Sequence, residues 1–519
     1  MEKKRLKLWL WIIIVSIILS VLPFYLYRKT IGRHVEIEKL LPDDAVAFME
    51  INDLAKIWNK AVSEKSVAKL MGAAGKNILP GLNEKDFEKT VNATMTLVGK
   101  RLILVSKENP DKTPGFLVFS QVEVVGRLTA EIIRQVAERR IKNVRFSSVE
   151  YAGHRVNIVT AGTAESFCYI FIGDVLVVSN SLALVEQTLD RFKEGRTGII
   201  SPFYKKTRSS LPDSKEIFLF YDIRKVSGDS KGLKAAGLSV KLTDKGLECD
   251  GSLLVDIKDS DKAFPGIRVK PGKPMTLEWQ PPDVSLYADA FVDCKGILQN
   301  VPDTQRDTVK GLGINLDELA SCLGQEYSVS VSAAEHEEQY PRLDFMAEVR
   351  DQGRMSEVMQ QIEKLVGFGG MIRFKDRIYK GEKIRYASFP MSLPSICWTF
   401  YRNFVVISNS PESIEKIIDV SRKESPGITS SPAWKQIKDE MSSPGNGAAF
   451  INPQQALLMA DCLMKSLSDS PLAKAGGMEK YTGPGAKLNE LKPVLDNITV
   501  AAIKMKIRDE IIGFTIYVK

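Results

Sequence analysis

The sequence contains few of the residues that form catalytic and metal sites. Its 519 residues include three histidines, His34, His154 and His336, and no two lie four apart as in a zinc-protease helix. Neither a Walker-type phosphate loop nor a G-x-S-x-G nucleophile elbow occurs. We therefore expect the histidines to be solvated or structural. The sequence predicts no catalytic residue, no metal ligand and no cofactor.

Cysteine is also scarce, with six residues and no C-x-x-C pair. This spacing excludes a disulfide-rich scaffold and a zinc cluster of the usual kind. Cys168 and Cys397 lie in apolar, strand-like runs, where a free thiol packs as a small hydrophobic group. The sequence leaves pairing open among the other four, Cys249, Cys294, Cys322 and Cys462.

The chain lacks a basic folded surface, although its net charge is +8. Residues 1–34 hold seven basic residues and one acid, a net +6, which leaves +2 for the other 485 residues. A nucleic-acid-binding protein concentrates its basic residues on a folded face that neutralises phosphates. We therefore expect no nucleic-acid partner.

One long apolar run is present. Residues 8–27 contain no charge over 20 positions, the length that spans about 30 Å of hydrocarbon, and aromatic residues lie near both ends. They predict a transmembrane signal-anchor, with a cytoplasmic tail at 1–7 and a juxtamembrane linker at 28–40. A cleaved signal peptide is the alternative, but no small-x-small cleavage pattern follows the run.

The bias of basic residues across this run is small, with four before it and three after it. Because a seven-residue tail has little alternative to staying inside, we expect the bulk of the chain outside the cytoplasm. The predicted localisation is the cell membrane, with a single span and a periplasmic or cell-surface domain.

The rest of the chain repeats itself. Short matches recur in the same order at offsets of 227 to 230 residues over about 80 residues, an order that chance rarely produces. The matched pairs include Tyr151-x-Gly153 with Tyr379-x-Gly381, Ser179-Asn180-Ser181 with Ser408-Asn409-Ser410, Glu186 with Glu415, and Asp190 with Asp419. We infer a duplicated domain.

The repeat gives the domain bounds. The first copy covers 41–260, a Pro/Gly-rich connector covers 261–280, and the second copy covers 281–519. Paired strand patterns such as 101–106 with 115–120 alternate with helical patterns such as 128–139. They predict two tandem α+β domains with mainly antiparallel sheets behind an N-terminal transmembrane helix. Each Ser-Asn-Ser follows a strand and precedes a helix, which Ser181 or Ser410 is expected to cap.

The anchor, the Leu41-Pro42-Asp43-Asp44 opening and the strand–Ser-Asn-Ser–helix element resemble a bacterial family of uncharacterised envelope proteins, domain of unknown function thirty-three fifty-two. The likeness covers most of residues 41–460. It implies a membrane-tethered bacterial protein without an established activity, and it supplies no catalytic residues.

Three hypotheses about function follow. The preferred one is a non-catalytic, single-pass envelope protein that binds a partner protein or envelope component through its duplicated domains. The alternative is a carrier of lipid or another hydrophobic ligand, which requires an apolar cavity of several hundred Å³. The third is an enzyme whose site gathers two or more acids with an arginine or lysine in space.

Overall fold

The structure is a computed structural model that describes residues 34–57, 100–109, 112–122, 134, 144–161, 165–195, 201–212, 216–227, 232–243, 246–256, 266–267, 269–333, 340–367, 372–389, 395–459 and 498–519. These residues form two compact units. Unit 1 contains the described residues up to 227 and 235–241, and unit 2 contains 232–234 and the described residues from 242 onward.

Unit 1 is built on an antiparallel sheet. Its strands pair in the order β9–β8–β1–β2–β3–β7–β6–β5–β4. The strands are β1 (Ala47–Asn52), β2 (Arg101–Glu108), β3 (Pro114–Gln121), β4 (Val144–Tyr151), β5 (His154–Ala161), β6 (Glu165–Ile172), β7 (Val175–Ser179), β8 (Ile217–Tyr221) and β9 (Leu233–Thr243). The alternation of apolar residues explains the strands, since Ile103 and Val105 on β2 are buried and their neighbours are not.

Unit 2 also contains an antiparallel sheet, in the order β10–β20–β19–β18–β11–β12–β13–β17–β16–β15–β14. Its strands are β10 (Gly246–Val255), β11 (Val284–Phe291), β12 (Leu323–Ser332), β13 (Arg342–Val349), β14 (Lys375–Tyr379), β15 (Glu382–Ala387), β16 (Ile396–Tyr401), β17 (Phe404–Ser408), β18 (Gly447–Ile451), β19 (Ala501–Arg508) and β20 (Ile511–Val518). From β18 to β14, the pairing order repeats that of β8 to β4 ten strands later in the chain.

Helices accompany each sheet. Unit 1 has α1 (Leu182–Glu194), α2 (Pro202–Ser209) and α3 (Ile223–Ser227). Unit 2 has α4 (Cys294–Gln299), α5 (Asp303–Gly311), α6 (Leu316–Cys322), α7 (Gln352–Val366), α8 (Pro411–Ser421), α9 (Pro432–Lys435) and α10 (Lys438–Met441). Short 3₁₀ helices lie at Ile37–Lys39, Thr276–Trp279 and Ile428–Ser430. The predicted α+β class with antiparallel strands is therefore confirmed.

A tight turn joins two strands at each matched Tyr-x-Gly sequence. Ala152 and Gly153 have φ angles of 56° and 79°, and Lys380 and Gly381 have 49° and 86°. Two consecutive residues with positive φ are typical of the type I′ turn, whose twist fits an antiparallel hairpin. Glycine at the second position adopts this φ without a steric penalty, which gives the matched glycines a structural reason.

The sheet of unit 2 has core residues on both of its faces. The face that packs against α8 is called the inner face, and the opposite face is called the outer face. On the inner face, Trp279 and Phe404 pack at 5.0 Å between ring centroids, and Ile414 of α8 joins the same cluster. On the outer face, Met355 of α7 packs in a cluster that includes Val405. Helix α8 therefore covers one side of the sheet and α7 covers part of the other.

Several predictions lie on residues that the structure does not describe, namely the anchor at 8–27, the helix at 128–139 apart from position 134, and His336. Within the described ranges, no helix is long and apolar enough to cross a bilayer. The predicted hairpin over 101–120 is confirmed, because β2 pairs with β3. The bounds of the two copies stay predictions.

Candidate functional site

Within the described ranges, the histidines and cysteines singled out from the sequence do not gather at one place. His34 lies 2.7 Å from Asp174 and 3.1 Å from the amide of Gln121, while His154 begins β5. In the part of the chain that the structure describes, no group of three or more His, Cys, Asp or Glu side chains could hold a metal ion.

The described cysteines, Cys168, Cys249, Cys294, Cys322 and Cys397, are all free. The prediction of buried, unpaired thiols at Cys168 and Cys397 is confirmed. Burial raises the pKa of both thiols, so neither is held as the reactive thiolate.

The Ser-Asn-Ser elements have a structural role. Their asparagines bind the backbone of a neighbouring strand, which the sequence did not predict. Asn180 accepts from the N–H of Phe116 and donates to the carbonyl of Pro114. Asn409 makes the same pair of bonds to Leu343 and Pro341. Each asparagine thus fixes the start of the adjacent strand, β3 in unit 1 and β13 in unit 2.

The serines differ between the units. Ser410 Oγ accepts from the N–H of Ser413 at 3.3 Å and caps α8, as predicted. Ser181 makes no side-chain cap bond to α1, so the prediction of a cap at Ser181 is wrong. The backbone N–H is used alike in both units, because Ser181 N–H donates to Ser179 Oγ and Ser410 N–H donates to Ser408 Oγ, each at 3.1 Å.

A groove of about 1040 Å³ opens in unit 2. Helix α7 forms one wall through Gln352, Ser356, Gln360 and Lys364, which recur every four residues on one side of the helix. Glu363 on the same helix and Gly367 just after it also line the groove, and the rest of the lining comes from the β14–β15 hairpin with the residues just before it and from β16.

A network around Arg385 fixes the floor of this groove. Arg385 Nε donates to Glu363 Oε1 at 2.8 Å, and Nη2 donates to the other oxygen of the same carboxylate. Arg385 Nη1 binds Asp376 at 2.6 Å, and Trp398 Nε1 donates to Glu363 at 3.0 Å. The hydrogen bond to Glu363 raises the pKa of Arg385, which stays charged.

The groove carries an excess of positive charge. Its lining includes four cationic residues, Lys364, Arg373, Lys383 and Arg385, and two acids, Glu363 and Glu382. Glu363 pairs with Arg385, and Glu382 pairs with Arg422 at 3.2 Å. Lys364 and Arg373 are exposed and have no ion-pair partner among the residues described, so they are available to a ligand.

Sequence reasoning missed this site because its members are far apart in the chain and lie on three different elements. The available signal was the alternation of Lys383 and Arg385 on one face of β15. That pattern is also typical of an ordinary solvated strand.

A smaller groove of about 490 Å³ lies in unit 1. Arg224 lies over the Phe203 ring at 4.1 Å, and Lys225 donates to the carbonyl of Ala45 at 3.1 Å. Asp43 pairs with Arg191 at 2.6 Å. Arg224, Lys225 and Asp43 therefore each have a partner within the protein.

None of the curated proteins compared with the chain matches it. The solved structures of crystal forms IV and III of TP0453 are similar to it, with TM-scores of 0.27 and identities of 10% and 11%. Each alignment covers 43% of this chain and 81% of the TP0453 chain. This similarity is too distant to indicate a shared fold or function. Residues 334–480 match the family described as protein of unknown function (DUF3352), which confirms the resemblance over that part of the chain.

Proposed function

We propose that this protein is a non-catalytic, single-pass envelope protein that binds a partner through the groove of unit 2. The observation that carries the proposal is the groove itself, whose floor is fixed by the Arg385 network and whose lining carries exposed amides and two cations without an ion-pair partner among the described residues. A site held rigid by its own contacts is preorganised, which lowers the entropic cost of binding.

The proposal includes the duplication and the membrane anchor. The repeated pairing order of β8 to β4 in β18 to β14 supports two copies of one domain. The uncharged run at 8–27 supports the anchor, with the bulk of the chain outside the cytoplasm.

A binding role is favoured over catalysis because the groove's two acids are each paired with an arginine. A general acid or base must reach a substrate's proton within hydrogen-bonding distance, and a carboxylate whose oxygens are bonded to an arginine is less free to do so.

Site-specific photo-crosslinking in cells tests the binding site. A photoreactive residue replaces Gln360 in the groove of the full-length chain, and the control places it at Lys310, an exposed residue of α5 outside the groove. We expect a discrete crosslinked species from position 360 alone. Equal products from both positions, or none from either, would contradict the proposal.

Topology has a separate test. Protease added to intact spheroplasts should digest the chain beyond the anchor. A chain that resists digestion until the membrane is lysed would place its bulk inside.

A second candidate function, binding of lipid or another hydrophobic ligand, is favoured by an apolar row on the outer face of the sheet of unit 2. Register places Phe345 beside Val329 and continues across the sheet through Ala288, Ala449, Ile503 and Ile516. Phe345 is 40% exposed and Ile503 is 38% exposed. Apolar surface of this extent often marks an interaction site.

The same face carries a parallel row through Leu343, Val331, Leu286, Ile451, Ala501 and Val518. Mass spectrometry of the full-length protein after gentle purification tests this candidate. Stoichiometric lipid that is lost in Phe345→Asp, with no crosslinked protein from position 360, would replace the first proposal with the second.

A further inference from the structure

We propose that the groove of unit 2 takes an extended, acidic peptide segment of its partner, an inference that rests on the proposed binding function. Four features of the groove support it: its length, its charge, its exposed amides and the state of its aromatic floor.

The length of the groove fits a short stretch of extended chain. Helix α7 has 15 residues, and at 1.5 Å per residue its wall is roughly 22 Å long. An extended peptide rises about 3.3 Å per residue, so this wall spans about six or seven residues.

The charge of the groove selects acidic residues. Because Arg385 neutralises Glu363 and Arg422 neutralises Glu382, the acids of the lining repel an anionic ligand little. Lys364 on α7 and Arg373 before β14 then offer two cations from two segments of the groove lining. Arginine pairs with carboxylate through two parallel hydrogen bonds, and lysine acts as a point charge.

Amide side chains on the wall suit a peptide backbone. Gln352 and Gln360 are exposed, and each side chain offers both a donor and an acceptor. Their spacing on α7 places them along the direction of the groove, where successive peptide N–H and C=O groups would lie.

The aromatic residues argue against a sugar chain. Trp398 is only 7% exposed, and its N–H is already bonded to Glu363. The guanidinium of Arg385 lies 5.8 Å from the centre of the Phe374 ring and partly covers it. A saccharide that stacks on aromatic faces needs rings that are open to solvent, so the acidic peptide is the better match.

Fluorescence anisotropy with the full-length protein in nanodiscs tests the inference. The probe is a labelled ten-residue peptide of alternating glutamate and serine, and the reference peptide has glutamine in place of glutamate. We expect at least tenfold tighter binding of the acidic peptide, and weaker binding as salt rises.

Three double variants locate the site. Lys364→Glu with Arg373→Glu should weaken binding of the acidic peptide at least tenfold. The matched control, Lys295→Glu with Lys310→Glu, changes two exposed cations of unit 2 outside the groove and should leave the affinity nearly unchanged. Lys364→Gln with Arg373→Gln removes the charges without reversing them and should give an intermediate loss.

Equal losses in the groove variant and the control would overturn the inference, as would equal affinity for the glutamine peptide. Polygalacturonate that binds more tightly than the acidic peptide, and is lost in the groove variant, would assign the groove to an anionic sugar chain instead. A partner crosslinked at position 360 together with no binding of the acidic peptide would reject this inference and leave the proposed function standing.

Discussion

The hydroxyl of Tyr379 donates a hydrogen bond to Asp419 at 3.0 Å, and the same contact joins Tyr151 to Asp190 at 2.9 Å. Each tyrosine ends the first strand of a hairpin, and each aspartate lies on the helix that follows Ser-Asn-Ser. The four residues match in pairs in the sequence, and the structure shows that the pairs are contacts. Both copies of the repeat therefore contain the same hydrogen bond between the hairpin and the helix that follows Ser-Asn-Ser.

Removal of the Tyr379–Asp419 hydrogen bond should weaken the hairpin of unit 2. Tyr379→Phe keeps the ring and deletes the donor, and we expect a small fall in Tm, roughly 1–3 °C. A double-mutant cycle with Asp419→Asn, followed by calorimetry, measures the coupling. Additive effects of the two substitutions would show that the contact contributes nothing.

Because Ser410 caps α8 and Ser181 does not cap α1, we expect substitution of these two matched serines to change stability by different amounts. Ser410→Ala removes the acceptor for the N–H of Ser413 and should cost about 1 kcal/mol. Ser181→Ala removes no cap bond and should cost clearly less. Urea unfolding of both variants compares them, and an equal or larger loss at Ser181 would contradict the assignment.

The floor of the groove should depend on Glu363 more than on Asp376. Glu363→Gln leaves Arg385 without its two-point partner, in a site where the Glu363 side chain is 12% exposed, and should cost roughly 1–3 kcal/mol. Asp376→Asn removes the other partner of Arg385, which is 43% exposed, and should cost less than about 1 kcal/mol.

Urea unfolding with tryptophan fluorescence follows both substitutions, because Trp398 bonds to Glu363. Hydrogen exchange of α7 serves as the second readout. If Asp376→Asn destabilises unit 2 as much as Glu363→Gln, the two-point pair is not what fixes the floor.

Because the carboxyl of Asp289 is buried, we expect unit 2 to lose stability as pH rises. Burial, with the charge of Glu326 on the adjacent strand, raises the pKa of this carboxyl to about 7. The folded state therefore holds a proton that the unfolded chain releases near pH 4, and stability falls between about pH 4 and pH 7 and then levels off.

Asp289→Asn should remove much of that slope and stabilise unit 2 above pH 7 by roughly 2–4 kcal/mol. Hydrogen exchange of β11 and β12 at pH 5 and pH 8 measures it. Tyr287 and Lys504 also face this carboxyl, so Lys504→Met is the companion variant. A slope unchanged by Asp289→Asn would assign the pH dependence to other groups.

The fold was more accessible from the sequence than the site. Strands with one buried face show an alternation of period two, and a turn that needs positive φ shows a glycine, so β2, β3 and the turn at Gly381 could be predicted locally. The difference between Ser181 and Ser410 could not, because each serine ends the same Ser-Asn-Ser sequence before a helix, and only the tertiary structure shows which hydroxyl reaches a helix N–H.

The sequence by itself determined the α+β class, the antiparallel hairpins, the buried free thiols at Cys168 and Cys397 and the order of the repeated segments, because each depends on neighbours within a few residues. Tertiary structure alone decided that Glu363, Arg385 and Trp398 meet, that Lys364 and Arg373 have no ion-pair partner among the described residues, and that Asp289 is buried beside Glu326. These outcomes depend on strand register and on the helix packed over the sheet, which bring together residues that no local pattern relates.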